Sequence, residues 1–481
     1  FFMNPAFNGY DVEAYLVAEN ILKSGSVSLS ERPLMGLVYT GGVPGIDGKH
    51  YGRTGFLEPV LAMAMYAVGS ALDRFLPGDI SIGAIFFVLA LCPIFGGLCG
   101  MLIYLISVNW YRPRTAITVA LIYSLGTMAF PYSNLRSETV LVFCLLLMFY
   151  GIIKCGVGFS AEADSGNIRG ALIAGAGAGA AIATKSYAVL LVIPGLLLFI
   201  LSVCGKKQWG KFAAFFAFVA IFSILEAGYN ELRFGSTFST GYPATFGFDL
   251  RHLGLCLYVL FASPAKSVFM FCPVLLTAIL AVRSFNSAHS LWFKFILIET
   301  LLLILFISTF REPLLFADEV WGSRYLFPVV SFWTLVAGAW VDRGSKRAIS
   351  VYLFGGMGFL VSLPGVLIRP ETIFSYSQRI CESPMYCRLL DSTMNAIIFN
   401  TRMLFGLGPG FLEPMSHLWL WWVQILRPEF LTSARVNALA MAATPTIRIL
   451  AVVSAGLLVL GAISSGISLA RSCRNDTMKI S

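Results

Sequence analysis

The chain has 481 residues, 57% of them hydrophobic and only 12% charged. That balance excludes an ordinary soluble globular protein, because the apolar residues fall in runs long enough to cross a hydrocarbon core. The net charge of +9 is spread over loops and helix ends with no single basic stripe, which argues against nucleic acid as a partner and suits an anionic lipid surface.

In chain order, residues 1–81 read as a long outer-face loop. Within it, Val12, Tyr15, Leu16 and the Ile21/Leu22 pair share one side at helical spacing, with Glu13 and Asn20 off that side. The pattern predicts a helix lying along the membrane surface. Residues 59–75 are apolar but short for a span, and predict a second interfacial or re-entrant helix. Membrane crossings are predicted near 82–108, 116–131, 137–154, 170–186, 187–204, 212–229, 265–282, 292–310, 325–341, 348–368 and 447–470. The Gly- and Ala-dense stretch 170–184 reads as close helix packing, since it lacks the strand-turn-helix setting and the Lys-Ser/Thr ending of a phosphate loop. Residues 369–446 lose membrane character and predict a small outer cap, with Leu418 to Trp422 as an interfacial aromatic belt. Residues 447–481 supply the last helix and a cytoplasmic tail. The expected fold is therefore an all-α integral membrane protein of about eleven transmembrane helices, with 82–368 as its core.

Bases fall in alternate connections: Arg112 and Arg114; Lys206, Lys207 and Lys211; Arg283 and Lys294; Arg343, Lys346 and Arg347; Arg471, Arg474 and Lys479. By the positive-inside rule these loops are cytoplasmic and every long loop faces outward. A chain that begins outside needs something to carry its start across the bilayer, so a further membrane helix or a cleaved signal is expected ahead of Phe1. Of the ten cysteines, Cys92, Cys99, Cys144, Cys155, Cys204, Cys256 and Cys272 sit in or beside apolar runs, as small core hydrophobes do. Cys381 and Cys387 share an outer loop and are candidates for a local disulfide. No CxxC pair or HExxH marks a metal site.

Charged residues of both signs gather on the outer side: Asp11 and Glu13, the run from Lys49 to Gly55, Arg136 and Glu138, Lys185, Arg233, Arg251, His252, Lys266, and Asp318, Glu319 and Arg324. Such a face has the chemistry to handle a sugar on a lipid phosphate, a carboxylate taking the proton of an attacking hydroxyl and cations steadying the departing phosphate. Singly, Arg and Lys at helix ends also snorkel to headgroups and pair with nearby acids.

The order of these segments resembles the polytopic GT-C glycosyltransferases that use polyprenyl-phosphate sugars, the group including protein mannosyltransferases and lipid A aminoarabinose transferases. The segments are GYDVEAYLVAENIL from Gly9, HYGRTGFLEPVLA from His50, YSNLRSE from Tyr132, TKSYAVLLVIP from Thr184, YNELRFGSTFSTGY from Tyr229, FDLRHLG from Phe248, SPAKSVFMFCPVL from Ser263 and EVWGSRYLFPVV from Glu319. The resemblance spans roughly 1–345 and leaves the cap at 369–446 outside it. It implies that Asp11 is the general base for the acceptor hydroxyl, in a single displacement that inverts the sugar. Glu13 is a second candidate acid and Glu138 a candidate orienting acid. Arg324, Lys185 and Arg53 are candidates for the donor phosphate, and His50, Tyr51, Tyr242 and His252 for sugar or acceptor contacts.

A divalent metal is compatible with Asp11, Glu138, Asp318 and Glu319 as oxygen ligands, but no bound metal is predicted. The implied partners are a polyprenyl-phosphate-linked sugar, a glycan, lipid or protein acceptor, and membrane lipids. The implied location is a bacterial inner membrane with the active face in the periplasm. Two other classes share the same gross features: a transporter or flippase for lipid-linked saccharides, which needs charges along a pathway open to both sides, and a non-catalytic subunit of a membrane complex.

Overall fold

The computed structural model describes residues 9–29, 42–75, 82–135, 138–156, 168–204, 208–241, 250–308, 321–367 and 395–404. Helix α1 is Gly9–Ser24. The two-residue strands β1 (Val43–Pro44) and β2 (His50–Tyr51) pair antiparallel, Val43 opposite Tyr51. Helices α2 (Leu57–Asp73), α3 (Ile82–Ser107), α4 (Pro113–Gly126), α5 (Ala129–Leu135), α6 (Glu138–Lys154), α7 (Ile168–Ile182), α8 (Ala188–Cys204) and α9 (Trp209–Phe234) follow. Then come α10 (Leu253–Phe261), α11 (Val268–Phe271), α12 (Leu275–Ser308), α13 (Phe327–Val341), α14 (Ser345–Leu367) and α15 (Ala396–Leu404).

Five of the described helices are long and apolar enough to cross a membrane: α3, α9, α12, α14, and α13 together with the 3-10 turn at Arg324 that precedes it. Helices α4, α6, α7 and α8 have only 14 to 17 residues, short of the ~20 that span a bilayer unaided. Of the eleven expected crossings, five are thus matched by described helices of full length, and the last, at 447–470, lies outside the described residues, as does most of the cap.

Local chemistry explains where the boundaries moved. The crossing predicted at 116–131 is two helices, because Thr127 is extended (φ −129°, ψ 178°) and its Oγ1 accepts the N–H of Ala129 at 3.1 Å. A hydroxyl in that place caps the new helix α5 and ends the old one. Arg112 is extended ahead of Pro113, where a ring without an N–H costs a helix nothing. The predicted pair 265–282 and 292–310 meets inside α12, at a kink where His289 leaves helical geometry (φ −138°, ψ 48°). The first of that pair starts ten residues later than expected, after the short α10 and α11. Gly235, at φ 65°, closes α9 with its N–H on the Glu231 carbonyl, a left-handed cap that suits glycine.

Contacts between segments far apart in sequence sort the molecule into two ends. At one end the Tyr111 hydroxyl donates to the Leu335 carbonyl, Thr115 Oγ1 lies 3.2 Å from Asp342 Oδ1, and the Trp110 ring packs on His289 and Trp292. At the other, Gly55 N–H donates to Thr184 O, Ile46 N–H to Arg233 O, and the Tyr132 hydroxyl to Trp321 O. The first end is the one that carries the basic loops, and the second the one read as outer.

Between the ends lies one apolar core built from α3, α4, α6, α7, α8, α12 and α13, including Phe149, Phe199, Phe285 and Phe332. The Gly/Ala stretch performs the packing its composition suggested. A Cβ on Gly177 would stand 2.4 Å from Met148 N in α6, and one on Gly175 would stand 2.4 Å from Phe215 O in α9, so only hydrogen lets the backbones approach. Helix α1 departs from its one-sided pattern. Residues 13–18 are all buried, with Tyr15 tilted against Tyr66 of α2, so α1 is packed into the fold and is not a helix with one face in water.

Candidate functional site

At the outer end the chain folds charged groups inward. The loop between β1 and α2 is built on a backbone latch. Arg233, near the end of α9, donates from Nη1 to the carbonyls of Gly52 and Thr54 and from Nη2 to Asn230 Oδ1 at 2.6 Å, and its guanidinium lies over the Tyr229 ring, 3.8 Å from the centroid. Planar forked donors suit such a set of acceptors, where a point charge does not. Glu226, two turns earlier, accepts the Phe56 N–H at 2.8 Å and stands 3.9 Å from Arg233 Nη2. Opposite, Glu13 Oε2 accepts the Arg53 N–H at 3.0 Å. The loop is thus held by α9 on one side and by α1 on the other, and α1 carries Asp11 in its first turn.

Beside the latch lie two buried ion pairs. Lys185, between α7 and α8, stands 3.9 Å from Glu58 in the first turn of α2. Arg324, in the turn before α13, stands 3.6 Å from Glu138 at the start of α6. All four residues are between 1 and 7% exposed. Charges removed from water to that degree are tolerated only when paired and hydrogen-bonded. Tyr187 lies within electrostatic reach of Lys185, Glu138, Arg324 and Tyr325, packs edge-on against Tyr325 and stacks on Phe306. Arg324 Nη2 also donates to the Tyr325 hydroxyl at 2.8 Å.

The segment carrying Arg324 is pinned on several sides. Ser323 Oγ donates to the Lys266 carbonyl at 2.6 Å, the Tyr132 hydroxyl donates to Trp321 O, and Phe271 of α11 meets Trp321 edge-on. Gly322 adopts φ 65° against the Phe271 ring, a conformation that lets the chain turn there and present Arg324 inward. Asn395 fixes the neighbouring turn by donating to the Pro264 carbonyl.

The residues expected from sequence divide accordingly. Lys185, Arg324 and Glu138 come together at one buried site, and Asp11 lies on the helix next to it. Glu13, the second candidate acid, is buried, and its Oε2 accepts the Arg53 N–H of the loop. Arg53 reaches the surface with an exposed side chain while its N–H faces Glu13, so it stands apart from the buried cations. His50 is exposed, the Tyr51 hydroxyl donates to Asp47 Oδ2 at 3.0 Å, and His252 is half-buried in the turn before α10. Tyr242, Asp318, Glu319, Cys381 and Cys387 lie outside the described residues. Among those described, no three His, Cys, Asp or Glu side chains gather as a metal site, and Glu138, proposed as an oxygen ligand, faces Arg324.

Sequence reasoning passed over Glu58, Tyr187, Glu226 and Asn230. Glu58 and Glu226 carried the signal that singled out Lys185, an ionisable group set in an apolar run. Asn230 and Tyr187 carried none, since their partners lie in distant segments.

Fold and site together define a helical integral membrane protein with a buried belt of paired charges at one membrane face. Residues 60–226, from α2 into α9, match the family model described as dolichyl-phosphate-mannose-protein mannosyltransferase, so the resemblance read from the motifs holds across this stretch. Among solved structures, ArnT from Cupriavidus metallidurans bound to undecaprenyl phosphate is similar with a TM-score of 0.45 and 14% identity, covering 92% of this chain and 72% of that one. No curated protein sequence matches the chain.

Proposed function

We propose that this protein is a membrane glycosyltransferase of the GT-C type that moves a sugar from a polyprenyl-phosphate donor to an acceptor at the outer membrane face. The observation that carries the reading is the meeting of Lys185 and Arg324, two cations from distant segments, in one buried neighbourhood at the end of the molecule that also holds α1. Lys185 and Glu138 lie within residues 60–226, the stretch that matches a lipid-phosphate-sugar transferase family.

In this reading the acceptor hydroxyl gives its proton to Asp11 and its oxygen attacks the anomeric carbon. The bond from that carbon to the phosphate oxygen breaks with its electron pair, and the configuration inverts. Polyprenyl phosphate leaves with its new negative charge facing Arg324 and Lys185, which act as fixed electrostatic partners. The Tyr187 hydroxyl stands ready to donate to a phosphate or sugar oxygen. Glu13 holds the loop. A bacterial inner membrane with this face in the periplasm is the setting we infer.

The test is transfer from a panel of polyprenyl-phosphate sugars by purified protein, with Asp11→Asn in parallel. Loss of turnover by about 10²–10⁴-fold with donor binding retained is expected for a missing general base. Equal activity removes Asp11 from the mechanism, and no turnover with any donor and a broad set of acceptors removes the reading.

A further inference from the structure

Both cations of the belt already have an anion beside them, and both pairs are loose. Lys185 Nζ is 3.9 Å from Glu58 Oε1 and Arg324 Nη1 is 3.6 Å from Glu138 Oε1, well beyond the ~2.7–2.9 Å of a direct charge-assisted hydrogen bond. The pairs flank one tyrosine, Tyr187, which senses Lys185, Arg324 and Glu138 together. They also come from four separate places in the chain: Glu58 from α2, Glu138 from α6, Lys185 from the α7–α8 junction and Arg324 from the turn before α13.

An anion that reaches these cations meets carboxylates already in place. Two cations and two carboxylates sum to zero, so an incoming phosphate gains only the difference between itself and the acid it moves aside. The arithmetic is lopsided between substrate and product. A sugar-linked polyprenyl phosphate is a diester with one negative charge, whereas the departing polyprenyl phosphate is a monoester with up to two. Bare cations would hold the product harder than the donor, and tight product binding slows turnover without aiding chemistry. Resident carboxylates counter that bias.

Resting on the glycosyltransferase reading above, we propose that Glu58 and Glu138 are exchangeable counter-ions, displaced from Lys185 and Arg324 by the lipid phosphate, which restrain its affinity and return when the product leaves. They are positioning residues: they touch the cations and not the reacting atoms.

The sign of the effect separates this from a purely structural role. If the acids only orient the cations, neutralising them weakens phosphate binding. If they compete with phosphate, neutralising them leaves a buried cation short of an anion, which costs the empty protein stability and is relieved by the ligand.

The experiment is equilibrium binding of undecaprenyl phosphate to the full chain in nanodiscs, for the wild type, Glu58→Gln and Glu138→Gln, with thermal unfolding of each with and without ligand. Glu299→Gln, a buried acid remote from both cations in sequence, serves as the control and is expected to leave binding unchanged. Each belt variant is expected to bind about tenfold tighter, to unfold at lower temperature when empty, and to recover most of that loss when loaded. A variant that does not survive purification is expected to be rescued by undecaprenyl phosphate during extraction. Weaker or unchanged binding in both Gln variants, with wild-type binding intact, overturns the exchange alone, as does failed rescue of both. Absence of binding by the wild type overturns the lipid-phosphate reading itself, and the exchange with it.

Discussion

Glu13 and Arg53 are forty residues apart, and the carboxylate of the first accepts the backbone N–H of the second at 3.0 Å. The contact joins α1 to a loop that Arg233 holds from the other side. Glu13 thus braces the loop from α1, the helix whose first turn carries Asp11, the base proposed above.

The Glu13 bond predicts a graded pair of variants. Glu13→Gln keeps an oxygen that accepts the Arg53 N–H, and is expected to fold and turn over much as the wild type does. Glu13→Ala leaves a buried N–H without its acceptor, a loss of about 1–3 kcal/mol, and lowers turnover more than donor binding by freeing the first turn of α1. Comparing kcat with KM for the two variants checks this. A severe loss in the Gln variant would give the negative charge itself a role.

Arg233 should be irreplaceable by lysine. Its guanidinium serves two carbonyls and an amide oxygen in different directions while lying over Tyr229, a set that an ammonium on a flexible stem does not reproduce. Arg233→Lys and Arg233→Ala are both expected to lower the thermal midpoint and to expose residues 42–56 to limited proteolysis. Stability equal to wild type in the Lys variant would show that the backbone latch is incidental.

The packing of α7 gives a prediction with its own control. Gly177→Ala places a Cβ against Met148 N and Cys144 O, both backbone atoms that do not swing aside, and is expected to cost about 1–3 kcal/mol. Gly228→Ala in α9 meets nothing within 4 Å and is expected to be neutral or to stabilise by about 0.4–1 kcal/mol through the unfolded chain. Thermal unfolding in detergent distinguishes the two, and similar midpoints would contradict the close approach of α6 and α7.

Glu299 is fully buried in α12 and, among the described residues, neither carboxylate oxygen has a hydrogen-bond partner. Replacement by an apolar side chain of similar length removes a polar group the core does not satisfy. Glu299→Met is therefore expected to raise the thermal midpoint, by an amount equivalent to about 1–3 kcal/mol. A clear fall would mean that the acid is satisfied by something that binds there.

Much of the site was legible in the chain because its members broke an otherwise apolar pattern. Lys185 stood out as a cation between two apolar runs, and Arg324 by its place in the Trp321-Gly322-Ser323-Arg324-Tyr325 segment that carries part of the family resemblance. Glu58 was as conspicuous in principle, heading an apolar run, but nothing near it in sequence suggested a partner: its cation is Lys185, more than a hundred residues on. Arg233 read as one more snorkelling cation because its acceptors are backbone carbonyls of another segment, which have no signature in side-chain composition. Arg53 misled in the opposite way, since it stands in a charged run yet contributes to the buried belt only through its N–H.

Sequence by itself determined that this is a helical membrane protein, which helices it has to within a few residues for most of the core, and which end carries the basic loops. Those properties depend on the length and periodicity of apolar runs and on charge counts, all of them local quantities. Tertiary structure alone decided which acid neutralises which cation, that Glu13 faces backbone while Lys185 and Arg324 share a neighbourhood, and that α12 bends at His289. Each of those outcomes depends on groups brought together across forty residues or more, or on a single backbone torsion, where ångström-scale distances in a medium with little water to screen them set the energy.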